Sequence, residues 1–101
     1  MHLTLETCLQ PNPDVIVTEL TDREGKPEAV LLNVPTHKYF SLNATGIRIW
    51  KQLELRQPLS AAVADITEAF DVSRERAEAS VLRLADELRA AELVTLGESK
   101  A

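Results

Sequence analysis

Cysteine is nearly absent from this 101-residue chain: Cys8 is the only one. One thiol cannot form an intramolecular disulfide, so the sequence suits a reducing compartment. Cys8 also has no histidine or aspartate close by in sequence, and a thiolate nucleophile needs such an activating neighbour. Long apolar runs are missing as well. Nothing approaches the ~20 residues of a bilayer-spanning helix. The opening Met1-His2-Leu3-Thr4-Leu5-Glu6 lacks the basic and apolar regions of a secretion signal, so a cytoplasmic location is expected. Positive charge is in short supply: sixteen acids outnumber eleven bases, for a net charge of −5. Non-specific nucleic-acid binding needs a basic surface to release counterions, and an anionic membrane attracts the same kind of surface. Neither partner is expected. A basic or apolar peptide fits the charge better.

The motifs of catalysis are also missing. There is no HExxH, no CxxC, no phosphate loop and no GxGxxG. The two histidines, His2 and His37, have no carboxylate at ligand or triad spacing. The acids spread over helix faces, where Arg74 and Glu78, or Arg83 and Glu87, stand at i, i+4 and form weak solvated pairs. The reading is of a non-enzyme, with no catalytic residue, no metal and no cofactor.

What is present is an ordinary globular composition, 45% hydrophobic and 27% charged, in a length that makes one domain. The expected unit is a single domain over 1–101, with a packed core over 12–96, a flexible N-terminal segment and a C-terminal tail from Gly97. Strand-like residues precede Leu42 and helix-like residues follow it, which indicates an α+β fold. The spacing predicts strands over Asp14–Leu20, Glu28–Val34 and Lys38–Leu42, separated by polar turns with Gly25, Pro27 and Pro35. Residues 1–10 alternate weakly and read as loosely packed or as an edge strand. Asn43 is placed to cap a first helix whose apolar stripe is Ile47, Ile49, Trp50 and Leu53. A second helix starts after Leu59 or Ser60 and runs to Phe70. A third, capped by Ser73, runs from Arg74 to about Ala91 with a seam of Ala77, Val81, Leu84, Leu88 and Ala91. A short strand over Leu93–Leu96 closes the chain. This order also permits a winged helix-turn-helix, so a DNA-binding protein is the alternative. Its recognition helix would carry Arg74, Arg76, Arg83 and Arg89 interleaved with Glu75, Glu78, Asp86, Glu87 and Glu92, a mixture whose field does not attract phosphate.

In a three-stranded meander the third strand is an edge, and an edge invites another strand. Lys38, Tyr39, Phe40 and Ser41 would offer its backbone. The third helix would wall the same slot through Val81, Leu82, Ala85 and Leu88, with Glu78 and Arg89 for polar groups. Leu82 lies off the seam and is the strongest candidate on that helix.

An ordered set of residues carries a resemblance: Leu31-Leu32-Asn33, then Lys38-Tyr39-Phe40-Ser41-Leu42-Asn43-Ala44-Thr45-Gly46, then Ile49-Trp50. Asn12-Pro13-Asp14-Val15 precedes it, and Asp71-Val72-Ser73 with Val81, Leu84 and Leu88 follows. The set resembles the PqqD-like family of RiPP recognition elements over roughly Asn12 to Val94. Two departures concern helix ends: Glu92 stands where the family often has glycine, and Leu53-Glu54-Leu55-Arg56-Gln57-Pro58 lacks the family's common glycine. Thr45-Gly46 and Trp50 look like the broad family rather than the pyrroloquinoline quinone protein, which points to a lasso peptide or related pathway first, with pyrroloquinoline quinone as the remaining pathway. The resemblance implies a three-stranded antiparallel sheet followed by three helices. It implies a non-catalytic module that takes the leader segment of a ribosomally made precursor as a fourth strand, antiparallel to strand three and clamped by helix three. The implied partners are that leader peptide and a maturation enzyme, a leader peptidase or a radical SAM enzyme. As for the chain itself, a monomer or a homodimer is expected.

Overall fold

The structure is a computed structural model that describes residues 3–96. Met1, His2 and the expected tail from Gly97 lie outside the described residues. The elements in chain order are β1 (Leu9–Pro11), β2 (Val15–Thr21), β3 (Pro27–Asn33), β4 (Lys38–Leu42), α1 (Ala44–Glu54), α2 (Leu59–Ala69), α3 (Arg74–Ala90) and β5 (Val94–Leu96). The domain is α+β: an antiparallel sheet in the order β2-β3-β4, followed by three helices, an arrangement compatible with a winged helix-turn-helix.

Both hairpin turns close through local chemistry. The carboxylate of Asp22 accepts from the amides of Glu24 and Lys26, and Gly25 takes the left-handed φ of 80°. In the second turn His37 is left-handed at φ 62°, and its amide donates to the Asn33 carbonyl at 2.8 Å. The inner face of β3, Ala29, Leu31 and Asn33, is buried. β2 differs from the two-faced strand that its apolar residues suggest: only Val15 packs against the core, and Ile16, Val17 and Leu20 are exposed. The helical layer explains this, because α1 packs on β3 and β4 while β2 has substantial contact only with β3.

The helix starts follow the capping expectations. Asn43 Oδ1 accepts from the Gly46 amide at 2.9 Å, and Ser73 Oγ accepts from the Arg76 amide at 3.2 Å. α2 has no side-chain cap, and its first turn is served instead by the N-terminal segment: Leu59 and Ser60 donate to the carbonyls of Thr7 and Leu5. Leu9 is fully buried, Leu3 and Leu5 pack on the core, and β1 pairs antiparallel with β5. Packing thus begins before Asn12, and the N-terminal strand is spent on β5.

α1 and α3 end alike. Past α1, Arg56 (φ 61°) donates to the Leu53 carbonyl and Gln57 to Gln52; past α3, Glu92 (φ 59°) donates to Arg89 and Leu93 to Leu88. This paired pattern is a Schellman ending, in which the left-handed position favours glycine. Glu92, and Arg56 within the Leu53–Pro58 loop, the two regions where the chain departs from the pattern it resembles, thus each hold a left-handed residue at a helix end. Buried Asn33 braces the second: its Nδ2 donates to the Glu92 carbonyl at 2.7 Å, and Asn12 Nδ2 donates to the same oxygen at 3.1 Å. The core between sheet and helices holds Leu31, Leu42, Ile49, Trp50, Leu53 and Val63. Trp50 is core, as its place on the helical stripe indicates, and its Nε1 has no acceptor. Gly46 is a packing glycine: a Cβ there would meet the Leu42 side chain at 3.0 Å.

Candidate functional site

The direction of each backbone group in β4 follows from the ladder. In an antiparallel pair the amide and carbonyl of one residue point to the same neighbour, and successive residues alternate sides. The Val34 amide donates to the Asp14 carbonyl at 3.2 Å, in register with the β2–β3 pairing. Even-numbered β3 residues therefore bond to β2, and Ala29, Leu31 and Asn33 bond to Leu42, Phe40 and Lys38 of β4. Tyr39 and Ser41 are left with their amides and carbonyls turned outward. Among the described residues no strand pairs with that edge.

Beside the edge runs a groove of about 480 Å³. Phe40 and Ser41 line one side; Ser80, Arg83, Leu84 and Glu87 of α3 line the other; Ile49 of α1 reaches its floor. The groove is of a size usual for ligand sites. Phe40 and Leu84 are half-buried and give it an apolar middle. Arg83 and Glu87 form a long ion pair of 3.8 Å on its rim, exposed enough to rearrange around a guest at little cost.

The expected site residues divide into two groups. Lys38, Tyr39, Phe40 and Ser41 all lie on the open edge. Tyr39 is 71% exposed, and Lys38 forms an ion pair with Glu92 at 3.5 Å. The helical residues fall elsewhere. Val81, Ala85 and Leu88 are 0% exposed and belong to the core, so they have no surface to give a guest. Leu82 is half-buried against the core and lies about 200° around α3 from Leu84, at 100° per residue. Glu78 is paired with Arg74 at 3.1 Å, and Arg89 is half-buried; neither lines the groove.

The helical wall instead runs along Ser80, Arg83, Leu84 and Glu87, at spacing i, i+3, i+4 and i+7. That stripe was visible in the sequence as one leucine between small and charged residues on a common face. It was obscured because Leu84 also counts toward the buried seam. Of the four arginines of α3, Arg74 and Arg83 are each matched by a glutamate one turn on. Among the described residues no cluster of three histidine, cysteine or acidic side chains is placed to hold a metal, and no helix is long and apolar enough to cross a membrane.

Solved structures share this fold. A structure titled "TbiB1 in Complex with the TbiA(beta) Leader Peptide" matches with a TM-score of 0.74 and 28% identity, over 90% of this chain and 99% of that one. A second, "Lasso peptide synthetase B1 complexed with the leader peptide", matches with a TM-score of 0.68 over 86% and 96% of the two chains; at 21% identity it speaks for the fold. No curated protein sequence matches the chain. The family model described as "Coenzyme PQQ synthesis protein D (PqqD)" matches residues 28–94, from the start of β3 through α3 to β5, and the chain belongs to that family.

Proposed function

We propose that this protein is a non-catalytic recognition module that binds the leader segment of a ribosomally made precursor peptide and presents it to a maturation enzyme. The observation that carries the reading is the open β4 edge. Tyr39 and Ser41 turn two amides and two carbonyls away from β3 beside the groove, while the chain's own N-terminal strand pairs with β5 on another sheet. A leader strand antiparallel to β4 gains main-chain hydrogen bonds from those groups. Every second side chain then enters the groove between Phe40 and Leu84, and the others lie beside Tyr39 on the outer face. Holding the leader tethers the core peptide near the enzyme and raises its effective concentration there. The partner is a leader peptidase or a radical SAM enzyme. The lasso peptide pathway is the first assignment, because the similar structures carry lasso and leader-peptide titles.

The test is an amide NMR titration of the full chain with the TbiA(beta) leader peptide. The Tyr39 and Ser41 amides shift and become protected from hydrogen exchange if the leader adds as a strand. Unmoved β4 amides at saturating peptide refute the reading.

A further inference from the structure

Three hollows of the molecule share walls. The β4–α3 groove is bordered at its Leu42 end by Glu28, Asn43 and Thr45. The same three residues, with Pro27 and Ala44, border a small hollow of about 250 Å³ at the start of α1. Pro27, Glu28 and Ala44 in turn border a cleft of about 510 Å³ between the β2–β3 hairpin, α1 and the end of α2. Leu20, Ile47, Leu55 and Phe70 form its apolar walls. Leu20 is 48% and Leu55 64% exposed, so two large apolar side chains stand in water around a cavity of ligand-site size. The far wall is braced. Arg48 lies over the Phe70 ring at 6.0 Å and donates to both carboxylate oxygens of Asp65, at 2.9 and 3.0 Å. The hydrogen bond and the charge of Asp65 hold the Arg48 pKa above its ordinary value.

We propose that this cleft is an anchor subsite for the leader peptide, taking a bulky apolar side chain from the segment just N-terminal to the added strand. The proposal rests on the leader-binding reading of β4. A guest antiparallel to β4 has its N-terminal end beside Leu42, where the groove runs into the hollow over α1. Crossing the end of one helix spans about 10–12 Å, which is about three to four extended residues at about 3.3 Å each. The anchor therefore sits about three to four positions before the residue opposite Leu42. The crossing chain passes first-turn amides that have no intrahelical acceptor; Asn43 satisfies only that of Gly46 through its side chain.

The experiment uses the full chain with labelled leucine and isoleucine methyls and labelled amides. It is titrated with the TbiA(beta) leader peptide, whole or shortened from its N-terminus. The whole peptide moves the Tyr39 and Ser41 amides together with the Leu20, Ile47 and Leu55 methyls. The shortened one moves the amides alone and binds roughly tenfold more weakly, as expected for losing the partial burial of one large apolar side chain. Leu55→Ser, at a position exposed enough to spare the fold, weakens the whole peptide by a similar factor and the shortened one not at all. Val34→Ser, in the distant β3–β4 turn, changes neither. Shifts in β4 with silent cleft methyls, or a Leu55→Ser variant that binds the whole peptide normally, overturn the subsite and leave the edge reading standing. Cleft shifts that track protein concentration instead of peptide assign the cleft to a second copy of the chain and overturn the subsite too. If no β4 amide moves, the leader reading fails and takes the subsite with it.

Discussion

Replacing Ser41 with proline separates binding from folding. The β2–β3–β4 register turns the Ser41 amide away from β3, so proline there removes a donor from the open edge and none from the internal ladder. Its predecessor Phe40 already sits in a strand, the conformation that a residue before proline prefers. Edge positions of this kind tolerate proline, and thermal unfolding should change little. Binding should change much more. The guest loses a hydrogen bond worth about 0.5–1.5 kcal/mol net, and its carbonyl is left facing a ring that cannot donate; together this is about 2 kcal/mol, or roughly thirtyfold in Kd. Fluorescence anisotropy with labelled TbiA(beta) leader peptide measures the affinity, and a melting curve on the same sample reports the fold. Phe40→Pro is the contrast: it cuts the β3 ladder and removes a groove side chain, so stability and binding fall together. A folded Ser41→Pro variant with undiminished affinity would refute the claim that a guest uses this edge.

Other perturbations probe the helical wall and the helix ends. Leu84→Ala should weaken leader binding by roughly fivefold, about 1 kcal/mol of lost apolar contact, whereas Leu82→Ala, facing away from the groove, should lower the melting temperature without altering affinity. Equal effects of the two variants on affinity would rule out the Ser80–Leu84–Glu87 wall. Arg56→Gly and Glu92→Gly should each stabilise the domain by about 0.5–1 kcal/mol by relieving a left-handed side chain, net of glycine's greater freedom when unfolded; urea denaturation measures this. Asn33→Ala removes the buried amide that donates to Glu92 and should cost about 2 kcal/mol, seen as a lower urea midpoint.

Much of the fold could be read locally. Strand β4, the Asn43 and Ser73 caps and the three helices lie where alternation, capping chemistry and periodicity put them, because each signal acts between residues a few positions apart. The open edge was legible for the same reason, since a meander of short hairpins leaves its third strand on the outside. The helical wall was harder. Val81, Leu84 and Leu88 share one periodicity, and a pattern of period 3.6 says which residues are apolar without saying whether core or groove receives them. The ends of α1 and α3 lack the glycine that marks a left-handed position, so the geometry of Arg56 and Glu92 follows only from the folded chain.

By itself the sequence determined most of the elements and their order, because those depend on residue type and short-range spacing. Tertiary structure alone decided where the N-terminal strand goes, since β1 meets β5 across more than eighty residues of chain. Through that pairing it kept β1 away from the β4 edge, which no strand joins among the described residues. It also set the rotation of α3, which sends Val81, Ala85 and Leu88 inward and leaves Leu84 at the groove. The physical reason is that burial is a property of the whole packed core: which face of a helix meets water depends on partners distant in sequence.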